Sequence, residues 1–362
     1  MLIGKNESDH IDWWRGFLSF IVFFVHLFQI VWFPIIGERG PLQDFFATIA
    51  NTSVAFFFSL SGMLIAQSVL LSYANSVFDW KRYILNRVVR IYPTFIIMLV
   101  LSVILVLIFP ILNNGSIYIY KLSNDKYIAR DFFWANWKDF LKAFFMIHPG
   151  ISKLNGALWS LFIEWWLYIS VIFVVLCFSS NRLIKRLLFF LISLLVLFLA
   201  FYEYGTRAMI YIIIWYFGFV YSLYLWDKKI LFNSLIILSS AILVLQFLLN
   251  GVDTFNINKS TFKFFGIQQI LISILFLKVT YKHSGVFFFK SVAKYSYTLY
   301  IIHFPLLLFF YSISKKYFEN NISTLAFLSF VLLVLIPVLS KIIARFSENK
   351  DYFKSIFYKT YT

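Results

Sequence analysis

Runs of about 20 apolar residues recur along this chain, and they leave few folds open, because 20 residues of α-helix cover the ~30 Å hydrocarbon thickness of a bilayer. On that scale the candidate spans lie at 11–35, 44–72, 91–112, 157–180, 186–203, 208–226, 230–250, 264–281, 295–313 and 322–346. Hydrocarbon offers no water to backbone N–H and C=O groups, so each such run must pair them internally as a helix. The sequence therefore predicts an all-α polytopic membrane protein with about ten transmembrane helices. Composition agrees: 61% of the residues are hydrophobic and only 13% charged, far from the roughly half-apolar content of a soluble domain.

A formal charge of +16 is large enough to raise nucleic acid as a partner. The Lys and Arg residues do not gather into a soluble basic domain, however. They punctuate the ends of the apolar runs, as topology signals and contacts to anionic membrane lipids do. With the N-terminus inside, most of them fall on the cytoplasmic side, which puts both termini there. The reading is a multi-pass protein of the inner (cytoplasmic) membrane, with one membrane domain over 1–346 and a short cytoplasmic tail over 347–362. The single cysteine, Cys177, excludes an intramolecular disulfide and a cysteine-based metal cluster, and no metal site is expected. The first run holds Arg15 and His26 and lacks a small-residue cleavage pattern, so it reads as a retained helix. The long break over 113–156 exceeds a simple connector and reads as a cap or re-entrant element.

Within the first run, Arg15 and His26 stand at a spacing that returns to within about 20° of one helix face, with ~16 Å between them along the axis. An ionisable group in hydrocarbon normally faces a protein interior or a wet cavity, which makes each a candidate functional residue. The competing view is a snorkelling Arg and a hydrogen-bonded core His. In the predicted topology His26 lies ~22 Å from the cytoplasmic entry of its helix and Glu164 ~10 Å from the outer entry of the fourth, so both approach one level. A carboxylate beside an imidazole fixes its tautomer and raises its basicity, as general-base chemistry requires. A buried pair that only joins two helices is the alternative. Ser160 lies one turn before Glu164, and Asn155-Gly156 precede that helix.

A second cationic feature runs from Trp80 to Pro93. Arg87 and Arg90 share a helical face there, and a guanidinium fork suits phosphate oxygens better than a point charge does. Lipid headgroups would use the same residues. Near the end of the chain His303 precedes Pro305, whose ring removes an N–H, frees a carbonyl and bends the helix. His303 reads as a packing or hydrogen-bonding residue lining the cavity in preference to a catalytic one.

Five motifs together, Arg15 with His26, Phe56 to Ile65 around Ser61-Gly62, Arg87-Val-Val-Arg90-Ile-Tyr92-Pro93, Leu158-Trp159-Ser160-Leu-Phe-Ile-Glu164, and Tyr295 to Pro305, resemble the acyltransferase-3 family of integral membrane acyltransferases. The resemblance implies transfer of an acetyl or other short acyl group from cytoplasmic acyl-CoA to a hydroxyl of an extracytoplasmic glycan. It makes His26 the family's essential histidine and Arg15 its partner. Arg87 and Arg90 become its paired arginines, Ser61-Gly62 its Ser-Gly turn, and Glu164 its fourth-helix acid. Arg87, Arg90, Arg15, Ser61 and Gly62 would hold the donor, while Ser160, Trp159, Tyr300 and His303 would line the acceptor cavity. His26, supported by Glu164, would act as base toward the acceptor hydroxyl or as a nucleophile carrying the acyl group. Trp165-Trp166 stand where many relatives carry a second acid and a Gln, which bears on recognition of acceptor or acyl group. The periplasmic hydrolase-like domain of some relatives is not expected. Rival classes are a polysaccharide or lipid transporter, which would favour paired repeats and broken helices, and a non-catalytic subunit of a surface-glycan assembly complex.

Overall fold

The computed structural model describes residues 5–33, 41–75, 78–112, 137–147, 155–225, 237, 240–241, 262–280, 287–318, 321–349, 352–353 and 355. Its elements are helices: α1 (Lys5–Leu27) running into a π-helical turn (Phe28–Trp32), α2 (Pro41–Asn75), α3 (Trp80–Leu112), α4 (Trp137–Phe144), α5 (Leu158–Ser179), α6 (Leu183–Tyr204), α7 (Thr206–Val220) followed by a second π-turn (Tyr221–Leu225), α8 (Phe262–Val279), α9 (Phe287–Ala293), α10 (Ser296–Phe318) and α11 (Ile322–Ser347). Among the described residues, seven helices are long and apolar enough to cross a membrane, and Arg207–Leu223 and Gly266–Lys278 are shorter apolar helices. These nine correspond to nine of the expected spans. The expected span at 230–250 lies largely outside the described residues, as do most of the 113–156 break and much of the tail.

Several helices begin earlier than hydropathy suggests. The third apolar run was expected from residue 91, but α3 begins at Trp80. Asp79 supplies the reason: its carbonyl accepts from the Tyr83 N–H at 3.0 Å, and its side chain accepts from the Arg82 N–H at 3.0 Å. Those bonds satisfy backbone donors that a helix start leaves open. The basic segment is thus the first three turns of a 33-residue helix, about 50 Å long, which overruns the ~30 Å hydrocarbon into the headgroup zone. Within the 113–156 break, α4 is a single short helix, too short to span.

The described chain divides into two compact units. The first comprises Met1–Trp14, Asn51–Arg87 and Ser160–Val286. Here α7 packs against α6 and α8, and α2 meets α7 with almost no intervening side chain. A Cβ on Gly62 would sit 2.0 Å from the Trp215 carbonyl oxygen, and one on Gly218 would sit 2.2 Å from the Ser59 carbonyl oxygen. Small residues at matched positions let two backbones touch, the usual device for helix association where water provides no hydrophobic drive. Ser61-Gly62, expected as a turn, therefore lies inside the unbroken helix α2. Its glycine serves close packing in place of chain reversal. The rings of Phe56 and Phe276 stack at 4.0 Å in the same unit.

The second unit comprises Arg15–Ala50, Val88–Trp159 and Phe287–Thr362. Its centre is α10, which packs against α9, α11 and the π-turn that follows α1. The Tyr297 hydroxyl donates to the Ile91 carbonyl at 3.2 Å, tying α10 to α3. At the start of α10, Glu348 Oε1 accepts from the Thr298 N–H at 3.0 Å and from its hydroxyl at 2.6 Å. A carboxylate from beyond α11 so satisfies a donor of the first turn of α10 and complements its dipole.

Candidate active site

In the second unit, α1 carries His26 in its last turn. Helix α10 carries His303, completely buried. The His26 Nδ1 and His303 Nε2 atoms are 2.8 Å apart. The two ring planes differ by 11° with centroids 5.1 Å apart, too far for face-to-face stacking, so the rings meet edge to edge along this bond. Phe23 stands edge-on to His303 at 6.0 Å and Phe304 edge-on to His26 at 5.1 Å, which fixes both rings in an apolar frame.

The proton positions follow from the acceptors. His303 Nδ1 lies 2.9 Å from the Leu299 carbonyl oxygen, and a carbonyl can only accept, so this nitrogen carries a hydrogen. In neutral His303, Nε2 then holds the lone pair and accepts from His26 Nδ1–H. Neutral His26 is left with its lone pair on Nε2. A chain of two bonds, anchored on a backbone carbonyl, thereby sets which nitrogen of His26 is basic. The sequence treated His303 as cavity lining and missed this pairing, since 277 residues separate the two.

The turn before α5 meets α10 beside this pair. Pro305 lies inside α10 and cannot donate to the carbonyl four residues earlier, that of Ile301. Asn155, fully buried, donates to that carbonyl through Nδ2 at 2.6 Å. Its Oδ1 accepts from the Ala157 N–H at 3.2 Å, and the Tyr300 hydroxyl donates to the Ala157 carbonyl at 3.1 Å. Arg15 and Trp159, both half-buried, also belong to this unit, as does half-buried Arg90.

The first unit contains a polar cluster built on Glu164 of α5, with Ser160 buried one turn before it. Glu164 Oε1 accepts hydrogen bonds from the hydroxyls of Ser61 and Tyr168. The Ser61 oxygen also accepts from Trp215 Nε1 at 3.1 Å and lies 3.1 Å from the Tyr168 hydroxyl. The fully buried Trp215 and the close helix approach at Gly62 therefore hold Ser61 in place. Arg87 adjoins the cluster: its guanidinium lies over the rings of Tyr83 at 5.4 Å and Tyr168 at 5.7 Å. Its Nη2 donates to Ser68 at 3.1 Å. Each member of the expected His26–Glu164 pair thus has a hydrogen-bond partner inside its own unit. Tyr168 was legible in advance from its position one turn after Glu164; Trp215 was not.

Among the described residues, no group of three or more His, Cys, Asp or Glu side chains is gathered as a metal site would require. Comparison with known families matches residues 9–342 to the Acyl_transf_3 model, described as an acyltransferase domain. No curated protein and no solved structure matches the chain.

Proposed function

The chain belongs to the acyltransferase-3 family, and on that premise we propose that it is a membrane-embedded O-acyltransferase. In this reading it moves an acetyl or other short acyl group from cytoplasmic acyl-CoA to a hydroxyl of a cell-surface glycan, and it resides in the inner membrane. The observation that carries the reading is the His26–His303 hydrogen bond, because it leaves a basic nitrogen of defined tautomer on the first helix.

In the reaction, His26 Nε2 takes the proton from the acceptor hydroxyl, and the oxygen attacks the thioester carbonyl. Collapse of the tetrahedral intermediate breaks the carbon–sulfur bond. The leaving CoA thiolate receives the proton from His26, so an ester and CoA thiol result. Alternatively Nε2 itself attacks the thioester and expels the CoA thiolate; the acceptor hydroxyl then attacks the acyl-imidazolium, its proton passes to the thiolate, and the carbon–nitrogen bond breaks to free His26. In both routes positive charge develops on the imidazole, and His303 Nε2 accepts from the Nδ1–H that shares this charge. That gives His303 an orienting role toward His26.

The donor's phosphates are assigned to Arg87, Arg90 and Arg15. Support for this comes from the forked guanidinium chemistry and from the position of Arg87 and Arg90 near the start of the long helix α3. Glu164, with Ser61 and Tyr168, is proposed to hold the Tyr168 ring under Arg87 and so to set the arginine's direction. Ser61 and Gly62 then serve the donor indirectly, by fixing that cluster. Ser160, Trp159 and Tyr300 remain the proposed lining for the acceptor.

The test compares surface glycans, by mass spectrometry, from cells with the chain and from cells that lack it. Purified protein is given isotope-labelled acyl-CoA and a hydroxyl acceptor in parallel. Acyl esters that depend on the chain, together with label transfer, are the expected result. Unchanged glycans would overturn the acceptor assignment, and absence of label transfer to any hydroxyl would overturn the donor assignment.

A further inference from the structure

We propose that Asn155 is a positioning residue for the histidine pair, acting as a hydrogen-bond lock on the proline bend of α10. The proposal rests on the acyltransferase reading, since it assigns Asn155 a role in how His303 is presented to His26.

Pro305 leaves the Ile301 carbonyl without the backbone donor that an uninterrupted helix supplies. In an apolar environment an unpaired carbonyl is costly, and it would draw α10 toward some other arrangement that satisfies it. Asn155 closes this gap with its side-chain amide at 2.6 Å. The same side chain is held by the Ala157 N–H at 3.2 Å, so its donor is aimed at the bend and not left to rotate. A second bond from the Tyr300 hydroxyl to the Ala157 carbonyl at 3.1 Å reinforces the join. Residues 155–157 thus grip α10 at Tyr300 and Ile301, directly before His303. His303 in turn takes its tautomer from the Leu299 carbonyl at 2.9 Å, on the same turn of helix. The bend, the ring and its proton are fixed by one short stretch of α10, and Asn155 is the buried side chain that satisfies the carbonyl freed within it.

Two features separate this role from ordinary packing. The demand for Asn155 arises from Pro305, so removing the proline should remove the demand. Only the Nδ2 donor serves the bend, while Oδ1 serves the start of α5, so a carboxylate should fail where an amide succeeds.

The experiment is a double-mutant cycle on the purified full-length protein in lipid nanodiscs, with kcat and donor KM for acyl transfer and the thermal midpoint measured for each variant. Asn155→Ala is expected to lower kcat on the order of tenfold, as loss of one buried hydrogen bond in the presenting frame would, with donor KM little changed. Asn155→Asp, which keeps the acceptor and loses the donor, should lose as much. Adding Pro305→Ala to Asn155→Ala should recover most of the lost kcat, because residue 305 then supplies its own N–H to Ile301. Equal losses with and without the proline would overturn the lock, as would wild-type kcat in Asn155→Asp. A wild-type chain that transfers no acyl group would instead overturn the functional reading. The lock itself would then be judged by the same cycle in thermal midpoints, where additive losses refute it.

Discussion

Replacing His303 by Phe drops the Nδ1–H it donates to the Leu299 carbonyl and removes the acceptor of its bond with the His26 Nδ1–H, while keeping a flat ring between Phe23 and Phe304, so packing changes little. The bond is 2.8 Å long and nearly in the plane of both rings, and in the transition state its donor shares a positive charge. Hydrogen bonds to charged groups contribute about 1.5–3 kcal/mol. Each 1.36 kcal/mol is tenfold in rate, so kcat should fall about tenfold to a hundredfold. Donor KM should hold, since His303 touches the proton relay and not the donor's phosphates. His303→Gln, whose side-chain carbonyl can accept from His26, should recover part of the loss. The assay is steady-state transfer of labelled acyl groups by purified variants matched for thermal midpoint. Wild-type kcat in a folded His303→Phe protein would refute the argument that His303 sets the tautomer and charge of His26.

Three further predictions concern other parts of the molecule. If Arg87 and Arg90 grip donor phosphates through paired N–H groups, Arg87→Lys and Arg90→Lys should each weaken acyl-CoA binding about tenfold to a hundredfold in equilibrium titrations; unchanged affinity would return both residues to lipid contact. Gly62→Ala brings a methyl group to 2.0 Å from the Trp215 carbonyl, where ordinary C···O contact is about 3.3 Å. Helices α2 and α7 must then separate, and a loss of about 1–3 kcal/mol is expected, read as a lower thermal midpoint; an unchanged midpoint would show that the close approach contributes nothing. In a Cys177→Ser background, a cysteine at Asn114, which lies outside the described residues, should react with an impermeant thiol reagent in intact cells while one at Lys81 should not; the reverse pattern would invert the topology.

The helices themselves were legible because the bilayer imposes a length and internal backbone pairing, and hydropathy reports both. Their ends were less so. Lys81, Arg82, Arg87 and Arg90 keep residues 80–90 out of the span that hydropathy defines, although the shared face of Arg87 and Arg90 implies helix there, and the Asp79 cap shows where that helix starts. For Ser61-Gly62 the apolar run 44–72 implied helix and the family resemblance implied a turn; the run was the better guide, and in α2 the glycine permits contact with the Trp215 backbone. For the site, the Arg15 and His26 spacing gave one helix face and Ser160 was read one turn before Glu164, while Tyr168, one turn after it, was overlooked although the same spacing rule reaches it. The His26–His303 bond and the Asn155–Ile301 bond join residues far apart in the chain, and no periodicity encodes such pairs. The one local signal was the proline after His303, which announced a carbonyl in need of a donor without saying which side chain would provide it.

The most direct test of the central claim is the rate of acyl transfer from labelled acyl-CoA to a hydroxyl acceptor by purified His26→Ala protein, at matched expression and thermal midpoint. If Nε2 of His26 is the base or the nucleophile, transfer falls to background while the protein remains inserted and folded. Transfer at the wild-type rate would make His26 a core residue and contradict the mechanism.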